Sequence, residues 1–219
     1  MANSLQSRAV RTKLAVRSSG NFVETIDGGR YSWHFRPHFH AGDETAQILA
    51  GRARFRLRST YRDLEAGETI VIPAGVVHRF EPLDEDGWAF CSEFVSSSGL
   101  AEFRAIEISQ TQNILRKRVI KQFIDRQSLH TDVEAIAAAC DISAGHLSRT
   151  FRIETGTSLH NFHVLIAIHK AKILLRNHLP VADAALDAGF YDQAHLTREF
   201  VRTLGMTPGT FRSAWIAAS

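Results

Sequence analysis

The stretch Asp192-Gln-Ala-His-Leu-Thr-Arg-Glu-Phe-Val-Arg-Thr-Leu-Gly205 has an earlier counterpart in Ser143-Ala-Gly-His-Leu-Ser-Arg-Thr-Phe-Arg-Ile-Glu-Thr-Gly156. The hexamers 195–200 and 146–151 agree at four of six positions, and Ser148 and Thr197 differ by a methyl group. Each copy opens on a capping residue and closes on glycine, the punctuation of a single helix. Leu147 and Phe151, like Leu196 and Phe200, stand four apart and form one apolar stripe per helix. The opposite stripe carries Gly145, Ser148, Arg149 and Arg152 in the first copy, and Gln193, Ala194, Thr197, Arg198 and Arg202 in the second. Arginine suits bidentate contact with guanine, glutamine contact with adenine, and serine or threonine a base edge or a phosphate. His146 and His195 lie beside the apolar stripe and read as packing or phosphate-proximal groups.

Upstream of each copy runs a short alanine-rich helix, over 133–140 and 181–188, the first opened by the capping-box pattern Thr131-Asp132-Val133-Glu134. Tight turns follow, Asp141-Ile142 and Gly189-Phe190. The copies align at an offset of 48 before the turn and 49 after it, so the second turn carries one extra residue. Asp141 takes the place of Gly189 at a left-handed position, where aspartate is admitted at modest cost. Helix, tight turn, helix is the DNA-binding arrangement whose second helix lies in the major groove. Residues 158–177 read as one helix of about 30 Å, stopped before Pro180. Such a strut holds two recognition helices about one DNA turn, roughly 34 Å, apart. Before the first unit, Leu115, Val119, Ile120 and Phe123 recur at helical spacing over 113–124.

The first half has a different period. From about Phe22 to Phe94 the chain breaks into short runs rich in β-branched and aromatic residues, divided by Asp27-Gly28-Gly29, Ala66-Gly67 and Ala74-Gly75. This is the spacing of an antiparallel sandwich or barrel. Arg52-Ala-Arg-Phe-Arg-Leu-Arg58 alternates strictly, placing four arginines on one face as a solvated surface or as a cationic wall. His38, His40, Glu44 and His78 form a cluster with three readings: metal ligands, the lining of a pocket for a small organic effector, or groups that pair with one another. Neutral imidazoles with a carboxylate suit Fe, Mn, Zn or Ni. Ser96-Ser-Ser-Gly-Leu100 marks a boundary. The division expected is a sensor over 1–97, a linker over 98–112 and a DNA-binding domain over 113–219.

Lys+Arg and Asp+Glu balance at 12 each up to residue 95, and stand at 14 against 11 beyond it, so the whole +3 lies in the half with the repeats. That favours a polyanionic partner there. No run approaches 18 apolar residues, and the N-terminus lacks a secretory-type hydrophobic run, so a cytoplasmic protein without a membrane span is expected. Cys91 and Cys140 sit among apolar residues and read as buried thiols.

His38-x-His40-x3-Glu44-x6-Gly51 followed by Gly67-x5-Pro73-x-Gly75-x2-His78 resembles the paired motifs of the cupin superfamily, although Ser32 stands where the first motif usually opens with glycine. In metal-binding cupins the matching His and Glu positions converge on one ion. The stretch Asp183 to Arg212, and within it 189–200 and Gly205-Met-Thr-Pro-Gly-Thr-Phe-Arg212, is similar to the signature of AraC/XylS-type transcriptional regulators, and the likeness covers about 113–219. The resemblance implies a multidomain β + α protein: a cupin-type β-barrel sensing a small-molecule effector, then an all-α double helix-turn-helix domain that binds promoter DNA and usually activates. Family base-contacting positions fall on Gly145, Ser148, Arg149, Gln193, Ala194, Thr197 and Arg198; Gly145 departs, since a bulkier side chain is common there. RNA polymerase is the implied further partner. The helical pair through which such regulators form homodimers has little room between Ser96 and Gln112. No enzymatic activity and no cofactor are expected. The readings left beside this one are a metal-dependent cupin enzyme with a helical appendage, and a repressor whose barrel only oligomerises.

Overall fold

A computed structural model describes residues 12–18, 22–31, 36–96, 114–125 and 128–218. Among these residues eight strands come first: β1 Thr12–Ser18, β2 Phe22–Tyr31, β3 Glu44–Ala50, β4 Arg52–Leu57, β5 Thr60–Glu65, β6 Thr69–Ile72, β7 Arg79–Pro82 and β8 Trp88–Ser96. They pair antiparallel in a five-stranded sheet of order β1-β2-β8-β3-β6 and a three-stranded sheet of order β5-β4-β7. Alternation decides which side chains go inside. In β3, Glu44, Ala46 and Ile48 point in while Thr45, Gln47 and Leu49 point out. In β4, Ala53 and Phe55 are buried, as the strict alternation requires. The two sheets close over Ile48, Leu64, Phe80, Trp88, Phe90 and Phe94.

Among the described residues seven helices follow: α1 Ile114–Asp125, α2 Val133–Ala138, α3 Ala144–Thr155, α4 Leu159–Arg176, α5 Val181–Asp187, α6 Gln193–Leu204 and α7 Pro208–Ala218. The repeat is built as its punctuation foretells. Ser143 and Asp192 accept from the backbone N–H three residues on, and Gly156 and Gly205 end their helices at φ 75° and 74°. Asp141 and Gly189 hold the left-handed turn positions at φ 59° and 94°. Between the units, α4 has 18 residues, capped by Ser158 and Asn177, and is about 27 Å long. It is buried nearly all round, from Phe162 through Leu175, because both units and the barrel pack on it.

The structure corrects several expectations. Asp27-Gly28-Gly29 is not a turn: it lies inside β2, beside a register shift between Gly28 and Tyr31. Gly28 is required there by close approach, since a Cβ would stand 2.0 Å from Cε1 of Phe90. A strand the sequence reading left out, β1, pairs along β2. Asp132, not Thr131, caps α2, accepting from Ala135 N, while the Thr131 hydroxyl is engaged by Nδ1 of His163 at 3.0 Å. The cationic wall is replaced by cross-strand pairing: Arg52 binds Asp84, Arg54 binds Asp63 and stacks on Tyr61, and Arg56 binds Glu81. Ser32, the linker over 98–112 and the Leu115 side chain lie outside the described residues. Among those residues, no helix is long and apolar enough to cross a membrane. Cys140 is buried and Cys91 half-buried.

Two buried clusters hold the halves together, and each crosses from barrel to helices. One joins the barrel interior to Ala171 and Leu175 of α4 and to Leu196, Phe200, Phe211 and Trp215 of the second unit. The other joins Phe39, Ala41 and Val77 to Val119, Ile120, Ile136, Leu147, Phe151 and Phe162 of the first.

Candidate DNA interface and barrel pocket

Leu147 and Phe151 in α3, and Leu196 and Phe200 in α6, are at most 1 % exposed. That orientation leaves Gly145, Ser148, Arg149, Arg152, Gln193, Ala194, Arg198 and Arg202 exposed and Thr197 half-exposed, so every expected reading position reaches the surface. Open space faces the Gly145 Cα, where an added Cβ meets nothing within 4 Å. Two groups are less available than their spacing suggests. The Thr197 hydroxyl donates back to the Gln193 carbonyl at 2.8 Å, and Arg202 donates to Glu199 at 2.9 Å. His195 packs edge-on against Phe190, with ring centroids 5.2 Å apart. His146 is exposed, 3.5 Å from the Thr150 hydroxyl. The residue added to the second turn, Tyr191, is exposed beside the α6 cap.

The four sensor residues do come together. His38 and His40 are buried on the extended segment before β3, His38 bridging His78, while Glu44 opens β3. One ring nitrogen from each of His38, His40 and His78 lies within 4.8 Å of the others. Glu44 Oε2 is 3.2 Å from Nε2 of His40 and 3.1 Å from Nε2 of His78. Glu44 Oε2 is thus within pairing distance of two imidazoles, and the ring nitrogens and the carboxylate converge on a common point. Tautomers explain why. Nδ1 of His38 lies 2.8 Å from the Arg36 carbonyl and Nδ1 of His78 lies 2.9 Å from the Val76 carbonyl. A carbonyl only accepts, so each Nδ1 carries the proton and Nε2 keeps a lone pair. Burial holds both His38 and His40 below the ordinary imidazole range, the neighbouring histidines adding to it for His38 and Glu44 opposing it for His40. Burial would raise Glu44, but His40 and His78 keep its carboxyl well below the usual range.

The result is two lone-pair nitrogens, of His38 and His78, beside the Glu44 carboxylate and a third imidazole, a donor set that suits a cation. A carbonyl behind each of two imidazoles is the outer support that metal-binding histidines use. A cavity of about 30 Å³ opens at His38, His40 and Glu44 and is also lined by Ile26, Phe80, Trp88, Phe90, Phe94 and Ser92. One water needs roughly 10–15 Å³ by this measure, so there is room beside these side chains for an ion with a water or two. Its remaining wall belongs to the other half of the chain: Thr203 and Leu204, the last turn of α6.

Sequence reasoning missed that wall. It also missed a buried ionic joint, in which Glu24 of β2 meets Lys172 and Arg176 of α4 at 3.2 and 2.8 Å and the Trp215 indole N–H of α7 at 3.0 Å. The available signal was Lys172 and Arg176, four apart in the largely apolar second half of α4.

Comparison with known proteins agrees with this architecture. Residues 23–162 match the model of the AraC-like ligand binding domain, and residues 136–214 match that of a helix-turn-helix domain. The HTH-type transcriptional regulator MtrA of Neisseria gonorrhoeae is 30% identical over 95 residues, 43% of this chain and 32% of MtrA. The arabinose operon regulatory protein of Salmonella typhimurium is 32% identical over 85 residues, 38% of this chain and 30% of that protein. The chain thus spans about a third of the length of these relatives. The crystal structure of apo ToxT K231A from Vibrio cholerae shares the fold, with a TM-score of 0.53 over 90% of this chain and 98% of that one at 11% identity. With a ligand-binding barrel ahead of paired helix-turn-helix units, and with that family model matching most of its length, the chain belongs to the AraC family of transcriptional regulators.

Proposed function

We propose that the chain binds promoter DNA through α3 and α6 in successive major grooves, under the control of an ion-sized effector in the barrel. Arg149 and Arg198 are the principal base readers, with Gln193, Ala194, Thr197, Gly145 and Ser148 along the same faces, and Arg152 and Arg202 at their far ends. The observation that carries this reading is the matched exposure of two capped helices, one before and one after a buried strut of about 27 Å. A single chain then spans about one turn of the duplex. The sensor is 1–97, joined through 98–112 to the reader at 113–219.

In the barrel, His38, His40, Glu44 and His78 hold a divalent transition metal, which supplies the charge this acceptor set lacks. What supports a metal is the convergence of three imidazoles and a carboxylate, two of the imidazoles backed by carbonyls through Nδ1. The regulator reading places no chemistry on the metal; turnover of a substrate would instead favour a cupin enzyme.

The test is quantitative footprinting on the DNA upstream of its own and neighbouring genes. Arg149→Ala and Arg198→Ala should each cost roughly 1–3 kcal/mol and relax one base position. Unchanged promoter binding in the double variant, with the fold intact by circular dichroism, would sink the two-helix reading.

A further inference from the structure

The segment 36–41 has two faces. Alternation sends His38 and His40 inward to the pocket and turns Pro37 and Phe39 toward the helices, while Arg36, at the start of the segment, reaches α6 with its long side chain. Phe39 is 2 % exposed and stacks on His169 of α4, with centroids 4.6 Å apart and planes 13° from parallel. Its carbonyl lies 3.0 Å from Nε2 of His169, and the Pro37 carbonyl accepts from Asn161 at 3.3 Å. Phe39 also meets Phe162 at 5.4 Å, and Phe162 meets Phe151 of α3 edge-on at 5.3 Å. From pocket to first reading helix there are two aromatic contacts.

The route to the second reading helix is polar. The Arg36 carbonyl is the partner of Nδ1 of His38, and the Arg36 guanidinium donates to Glu199 of α6 at 2.8 Å. The other Glu199 oxygen holds Arg202. Thr203 and Leu204, on the next turn of α6, close the cavity itself.

We infer that Arg36 and Phe39 are positioning residues that transmit occupancy of the pocket to the two reading helices separately, Arg36 to α6 and Phe39 to α3. This rests on the proposal that the barrel pocket is the effector site. Close packing makes the inference physical: a shift of His38 and His40 onto a ligand displaces the same backbone that Glu199 and Phe162 grip. Coupling requires a different free energy of binding for each state of the segment, and both contacts belong to it.

The experiment uses the full chain, with Co²⁺ alone as the probe. Its visible absorption reports binding in the barrel, and footprinting reports each half-site, assigned to α3 or α6 by the loss it suffers in Arg149→Ala or Arg198→Ala. Arg36→Ala should keep the cobalt spectrum while the metal's effect at the α6 half-site falls at least about fivefold and its effect at the α3 half-site persists. Phe39→Leu should give the reverse pattern, and the milder substitution guards the fold. If both variants respond like the parent at both half-sites, the transmission is refuted while the metal site stands. If the parent shows no cobalt spectrum, the metal reading fails, and His40→Ala becomes the perturbation of the pocket. Its effect on DNA affinity must then vanish at the α6 half-site in the Arg36→Ala background; simple additivity there overturns the inference.

Discussion

Replacing Glu24 by Gln tests the joint between barrel and helices with little change of shape. Its carboxylate is buried with a 2 % exposed side chain, and faces Lys172 and Arg176 at 7 % and 12 %. Burial alone would raise the Glu24 pKa, but Lys172 and then Arg176 bring it from 4.5 down to about 2. A shift of that size corresponds to about 3 kcal/mol in favour of the charged form. The independent expectation for stripping a counter-charge from a buried pair is about 3–5 kcal/mol. Glu24→Gln should therefore lose about 3 kcal/mol at neutral pH, read by urea unfolding followed with both far-ultraviolet circular dichroism and tryptophan fluorescence. The pH dependence has a definite sign. A group whose folded pKa is depressed stabilises fully above its unfolded value and ceases to do so as pH falls through the folded one. The deficit of the variant should thus be flat above about 4.5 and shrink toward pH 2. A loss below about 1 kcal/mol, or a deficit that widens on acidification, would refute the electrostatic account. Replacing Glu24, Lys172 and Arg176 together by Leu, Met and Met should recover much of the loss, because apolar packing removes the desolvation cost.

Other perturbations follow from single contacts. Asp192→Ala removes the acceptor for the His195 N–H and should cost about 1 kcal/mol of stability in a thermal melt. Asp141→Gly relieves a left-handed aspartate and should stabilise by about 1 kcal/mol, leaving DNA affinity unchanged. Gly145→Gln enters open space on α3 and should raise both helix stability and affinity at the first half-site, measured by footprint titration. DNA affinity should fall steeply as salt rises, with a smaller slope once an arginine on a phosphate is removed.

The helical half was legible because its rules are local. A cap bonds three residues ahead, a stripe repeats every four, and a left-handed stop wants glycine, so Ser143, Asp192, Gly156 and Gly205 announce themselves. The cupin-like spacing likewise picked out His38, His40, Glu44 and His78. Their convergence was an expectation of resemblance, and the tautomers that leave Nε2 facing inward depend on the carbonyls of Arg36 and Val76, which no spacing encodes. Gly28 imitates a turn glycine because the Phe90 ring that needs its space is on a strand more than sixty residues away. Partners of Glu24 lie 148 to 191 residues downstream, and Arg36 and Glu199 are 163 apart. Side chains that meet only through tertiary packing leave no period in the sequence. Thr131 shows the same on a small scale: His163 claims the hydroxyl, and the cap passes to Asp132.

The central claim is that one chain reads two successive major grooves and that the barrel governs this reading. Hydroxyl-radical footprinting of the full chain on promoter DNA, with and without Co²⁺, tests it most directly. The account predicts two protected patches on one face of the duplex, centred about 10.5 base pairs apart, one weakened by Arg149→Ala, the other by Arg198→Ala, and both altered by the metal. A single patch, or two patches insensitive to those substitutions, would contradict it.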